Sequence, residues 1–256
     1  MRRDWTREEL ILAFNLYCKL PYGQFNNRNK DVIELGNLIE RTAGAVAFKL
    51  VNFVSLDPIH KAQGRKGATN IGKLDKEIFN EFSQNWEELL YESEQILAKK
   101  KHTDIEIIYA DILKDLKDKK GETKIREVKV RINQDIFRKM VLSNYTFRCA
   151  ISEINIPELL IASHIKPWAK DEKNRLNPSN GICLSATYDK AFDKGLISLN
   201  ENLEIIISSK LKRFSNQPFY QEYFAKKENT KILMPQKFNP NIEFIQYHNN
   251  EIFDRK

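Results

Sequence analysis

Cysteine is scarce in this chain. Cys18, Cys149 and Cys183 are far apart and odd in number, which suggests no disulfide framework. No two of them form a CxxC pair. Long hydrophobic runs are also missing, and nothing approaches the ~20 apolar residues that a membrane helix needs. No membrane partner is therefore expected. The opening MRRDWTREE turns acidic too early for a secretory leader, so a cytoplasmic protein is expected. No internal repeat is visible, and no stretch is low in complexity.

What is present is an ordinary globular composition, 41% hydrophobic and 30% charged over 256 residues. That argues against wholesale disorder and allows a real core, with room for two small domains. The net charge is +7 and the pI near 9.1. A basic balance fits a polyanionic partner, and equally a merely soluble surface.

The first sixty residues read as short helices. Thr6 and Glu9 have capping-box spacing, and Leu10, Ala13, Phe14 and Tyr17 make an apolar stripe. A second helix is expected over 31–40. A third, AGAVAFKLVNFV, follows Thr42 as N-cap. Three helices with a tight turn before the third suggest a helix-turn-helix. W-T-x-E-E followed by R-T-x-x-A-V-x-x-K-L-x-N resembles the Myb-type variant. That resemblance places helix three in a major groove, with Lys49 and Asn52 exposed toward base edges and Arg41 on a phosphate. A helical bundle that only packs on its neighbour is the competing reading.

Residues 59–72 read as a flexible basic loop that can lie on a DNA backbone, with His60 a solvated loop histidine. One long helix is expected over 75–99, a continuation over 104–117, and a domain boundary in the charged stretch 118–123. EVKVRIN, 127–133, alternates like a strand. A helix is expected over 134–142 and a hairpin of LISLN with LEIIIS. The tail from Pro218 onward is expected to cover the second domain.

The stretch 161–197, IASHIKPWAKDEKNRLNPSNGICLSATYDKAFDKGLI, is the most informative. His164 ends an apolar segment. Asn180-Gly181 leads into another. Asp189 and Asp193 then stand four apart on a helix-like run, on one face and close enough to share a cation. A histidine aimed at that cation can take a proton from water.

This stretch resembles the HNH endonuclease family, in the branch whose motifs read like SHIKPW and FDKGLI. The resemblance covers roughly residues 135–210. It implies a ββα-metal fold, with His164 as general base and Asn180 as the brace of the metal loop. Asp189 stands where many members have a metal-binding histidine, so the chain reads H-N-D. Ser163 stands where members often have an Asp or His ligand. With carboxylates in place of imidazoles, the ion expected is hard, Mg2+ or Mn2+, held by Asp189 with Asp193 beside it. Lys166, Lys190 and Lys194 flank the motif, within reach of phosphates. Some members carry a structural zinc on two CxxC pairs; none is expected here.

The expected fold class is α+β: an all-helical, helix-turn-helix-like module over 1–120, then an HNH nuclease domain with a C-terminal extension over 121–256. The expected function is metal-dependent cleavage of double-stranded DNA in a restriction or defence setting, with a homodimer left open. Two alternatives stand beside it: a DNA-binding protein with a degenerate, inactive domain, and a nuclease subunit of a larger complex.

Overall fold

The computed structural model describes residues 3–69, 71–116 and 121–254, with only the backbone at Ser83 and Gln84. The chain divides into two compact units, Met1–Ser143 and Asn144–Lys256. The expected boundary at 118–123 lies partly outside the described residues. The helix that follows it is counted with the first unit.

In the first unit, α1 (Arg7–Lys19) begins where Thr6 and Glu9 each accept the other's backbone N–H. Asn29 caps α2 (Lys30–Leu38), and Thr42 caps α3 (Ala43–Leu56). The turn between them is tight, because the Gly36 carbonyl accepts the Arg41 N–H at 2.8 Å and a Cβ on Gly36 would meet the Arg41 carbonyl oxygen at 2.8 Å. Next come α4 (Pro58–Ala62), α5 (Lys73–Gln84), α6 (Trp86–Lys100), α7 (Ile105–Ile108) and α8 (Gly121–Asn144). The rings of Phe53, Phe79, Phe82 and Trp86 surround Phe14 at 4.6–6.2 Å.

Several expectations are corrected here. The helix over 75–99 is two helices, broken at Asn85 (φ −145°, ψ 65°). The continuation over 104–117 is only α7 and a 3-10 turn at Lys114–Leu116. The strand over 127–133 is helix, inside α8. Val128 and Ile132 satisfy a period of two and a spacing of four alike, and the buried row continues through Ile136 and Met140. His60 is not solvated: it is buried on α4, with Nδ1 2.8 Å from Arg65 Nη1.

The expected base-reading residues are also corrected. Lys49 is 8% exposed and Asn52 3%. Both donate to Asp75, at 2.9 and 2.8 Å. Arg41 pairs with Glu9 at 2.8 Å and lies over the Trp5 ring. The ordered charge partners outcompete water for these cations, so α3 presents neither a cation nor an amide to solvent. Its most exposed large side chain is Phe48, at 55%.

The second unit is built on β1 (Leu160–His164) and β2 (Gly181–Ser185), antiparallel with His164 opposite Gly181. The chain leaves β2 directly into α9 (Ala186–Asp193), which packs on both strands. Leu160, Ile182, Leu184, Tyr188 and Phe192 are buried in this layer. Cys149 Sγ accepts N–H bonds from Ile151, Ser152 and Ser185, tying the loop before β1 to the end of β2. The expected hairpin forms as β3 (Ile197–Leu199) and β4 (Ile205–Ile207). It is followed by α10 (Ser209–Lys212), α11 (Pro218–Tyr223) and α12 (Ile242–Glu251). At the end of α9, Gly195 has φ +63°, and a Cβ there would collide with the Ile252 carbonyl. Its own carbonyl accepts the Asp254 N–H at 3.0 Å. The chain is thus α+β, a helical region followed by a unit with two small sheets.

Candidate active site

His164 closes β1 with its ring turned into a cavity of about 360 Å3 that Asp189 and Asp193 also line. Its Nε2 lies 2.8 Å from the Arg175 carbonyl oxygen. A carbonyl only accepts, so in the neutral ring the proton sits on Nε2 and Nδ1 is the basic nitrogen. Burial lowers the His164 pKa below the ordinary histidine value, opposed by the Arg175 hydrogen bond and the charge of Asp189. Trp168 meets the imidazole edge-on at 5.5 Å, and the Arg175 guanidinium lies over Trp168 at 5.1 Å.

Asn180 is buried behind this arrangement, not in the cavity. Its Nδ2 donates to the carbonyls of Lys166 and Asn174 at 3.0 and 3.3 Å, and its Oδ1 accepts the Lys166 N–H at 2.8 Å. Its backbone carbonyl accepts the Ile165 N–H at 2.9 Å. One side chain therefore fastens both arms of the 165–180 loop, next to the residue whose carbonyl meets His164.

Asp189 and Asp193 stand one turn apart on α9. Partial desolvation and the neighbouring charge of Asp189 raise the Asp193 pKa, against the pull of Lys190 and Lys194. Both lysines are exposed. Lys166 is less accessible than these two. It is half-buried, paired with Asp171 at 2.9 Å, and 4.9 Å from the Tyr247 ring.

Residues 149–200 match the HNH endonuclease family. The second unit carries an HNH endonuclease domain. None of the curated proteins matches this chain in sequence. Among solved structures, a modification-dependent TagI restriction endonuclease is similar at 16% identity over 45% of this chain, with a TM-score of 0.30. The chain covers only 37% of that protein's length. A score that low does not establish a common fold over the aligned stretch.

The HNH domain has oxygen donors for a cation. Among the described residues, no three His, Cys, Asp or Glu side chains group as a metal site. The cavity does hold the two α9 carboxylates, and Ser163 is among its lining residues; the Ser163 Oγ is itself shut off from solvent and lacks a hydrogen-bond partner. An orphaned buried hydroxyl costs about 1–3 kcal/mol, and close like charges repel. A hard divalent ion that keeps most of its waters would answer the repulsion, and the two carboxylates suit such an ion.

Sequence reasoning missed His248, which lines the same cavity. It stacks on Phe192 at 3.8 Å, and its two nitrogens lie 2.7 Å from Ser198 Oγ and 3.1 Å from the Phe192 carbonyl. Burial pushes its pKa down to about 4. It lies far along the chain in α12, and no motif marks it.

Among the described residues, no helix is long and apolar enough to cross a membrane.

Proposed function

We propose that this protein is a divalent-metal-dependent DNA endonuclease of restriction or defence type. The observation that carries the reading is one cavity holding a histidine with its Nε2 engaged by a carbonyl and two carboxylates one helical turn apart. His164 Nδ1 takes the proton of a water aimed at phosphorus. Asp189 and Asp193 would hold a Mg2+ or Mn2+ ion. When bound, that ion supplies positive charge against the phosphate and the leaving oxygen. Lys190 and Lys194, exposed beside the carboxylates, meet the flanking phosphates. The helical unit adds backbone contacts through Lys61 and Lys66, both exposed, rather than through α3.

The test is cleavage of methylated and unmethylated plasmid with Mg2+, Mn2+ or EDTA. Nicked or linear product with either metal and none with EDTA is the expected result. Binding without cleavage under every metal condition would favour the degenerate reading. That rival is kept alive by the absence of a third acidic, histidine or cysteine ligand among the described residues.

A further inference from the structure

The carbonyl that engages His164 belongs to a loop, and a loop carbonyl is only as fixed as what holds it. Asp171 collects three donors inside that loop. Its Oδ2 accepts Lys166 Nζ at 2.9 Å and Asn174 Nδ2 at 3.0 Å, and its Oδ1 accepts the Asn174 backbone N–H at 3.2 Å. Asn174 in turn gives its carbonyl to Asn180 Nδ2, and its Oδ1 accepts Asn177 Nδ2 at 3.3 Å. The next residue is Arg175, whose carbonyl meets His164 Nε2. Lys166 is held at both ends, its backbone by Asn180 and its ammonium by Asp171.

We infer that Asp171 is a positioning residue, which with Lys166 as its counter-ion fixes the Arg175 carbonyl and so selects the Nε2–H tautomer of His164. The inference rests on the nuclease reading only for its catalytic consequence; the tautomer itself is a property of the protein. The physical argument is one of alternatives. A neutral imidazole in a polar cavity can carry its proton on either nitrogen, and the second hydrogen bond decides which. Without the Asp171 carboxylate, Asn174 Nδ2 loses that acceptor, the Asn174 backbone N–H keeps only the Asp171 main-chain carbonyl at 3.3 Å, and the Lys166 ammonium keeps only the Tyr247 ring. The Arg175 carbonyl is then free to turn away. A ring that keeps its proton on Nδ1 for part of the time is not a base at that nitrogen for that time. The charge also matters: Asp171 is held below the usual carboxylate range, against its burial, by Lys166 and Asn174. It is therefore ionised and a stronger acceptor than a neutral amide.

The experiment uses the full chain labelled with 15N in histidine. The tautomer of His164 is read from its ring nitrogen shifts at a fixed pH of about 8, where a histidine near or below its ordinary value is neutral. The wild type is expected to show one tautomer, Nε2–H. Asp171→Ala is expected to show a mixture and a kcat lower by about 10–100-fold, with KM little changed. Asp171→Asn keeps an acceptor oxygen and is expected to hold most of the Nε2–H form. Should Asp171→Ala fail to fold, Lys166→Met removes the same ion pair and is read in the same way. An unmixed Nε2–H signal in both Asp171→Ala and Lys166→Met overturns the inference. If neither the wild type nor any variant cleaves DNA, the nuclease reading fails while the tautomer comparison still decides this one.

Discussion

A histidine can act as a base only while one ring nitrogen keeps its lone pair. At His164 the lone pair belongs to Nδ1, because Nε2 keeps its proton and donates it in a hydrogen bond to the Arg175 carbonyl. His164→Ala is expected to lower the cleavage rate by roughly 10²–10⁴ with folding and DNA affinity nearly intact, checked by single-turnover kinetics beside circular dichroism. Burial depresses the His164 pKa, so the base stays deprotonated below the usual histidine range. The acid limb of the rate–pH profile should fall at a pH below about 6.5. A midpoint above that value would detach the limb from this residue. The motif pointed to His164, Asn180 and Asp189 in the sequence, since each is a side chain with a distinctive type and spacing, and the fold brings His164 and Asp189 to one cavity with Asn180 outside its lining. The Arg175 carbonyl was not, because every residue has a carbonyl and only the folded loop says which one turns inward.

At the level of elements, α9 concentrates charge. Asp189 and Asp193 share a face, and Asp193 titrates high partly because Asp189 is near. Asp189→Asn should abolish Mg2+-dependent cleavage and, in the metal-free protein, lower the Asp193 pKa, measurable by carboxylate NMR. Asp189→His is expected to shift the preferred ion toward softer metals. Full Mg2+ activity in Asp189→Asn would transfer the ligand role elsewhere.

Helices α3 and α5 offer a contrasting case, in which charge serves packing. Lys49 Nζ sits 2.9 Å from both Asp75 oxygens and is shielded from water. Asp75→Ala leaves a buried ammonium unpaired and should cost about 3–5 kcal/mol in urea unfolding. Lys61→Ala with Lys66→Ala, by contrast, should leave stability alone and reduce the salt slope of DNA binding by about two units. Sequence patterns pointed to three helices matching α1 to α3, with Thr6 and Thr42 as caps because those residues announce themselves locally; the Asn29 cap of α2 came only with the structure. They failed where two periods coincide, as at Val128 and Ile132. They also failed where exposure depends on a distant partner, as at Lys49, since Asp75 lies beyond any local window.

For the molecule as a whole, acid is the relevant stress. Folded His248 titrates near 4, against about 6.5 in an unfolded chain. As pH falls through 6.5 the unfolded chain takes up a proton that the folded protein refuses until about pH 4. Stability contributed by this group is therefore full above 6.5 and lost as pH drops toward 4, by about 3 kcal/mol in total. His164 acts in the same direction, so the check compares urea midpoints at pH 7 and 4.5 for the wild type and His248→Gln. A variant with the same acid sensitivity as the wild type would remove His248 from the account.

The close crossing at Gly195 has a consequence for the order in which the protein comes into being. The backbone of Ile252 passes where a side chain on Gly195 would be, and Asp254 hands its N–H to the Gly195 carbonyl. His248 from the same segment lies flat on Phe192, under the helix that carries the two aspartates. A ribosome delivers α9 well before it delivers α12. Until the later segment arrives, the aspartate-bearing helix lacks one of its walls. On this geometry the cavity that holds His164, Asp189 and Asp193 is walled in only after α12 has been translated, and a nascent chain stalled before α12 would lack the side of it that His248 and Ile252 supply.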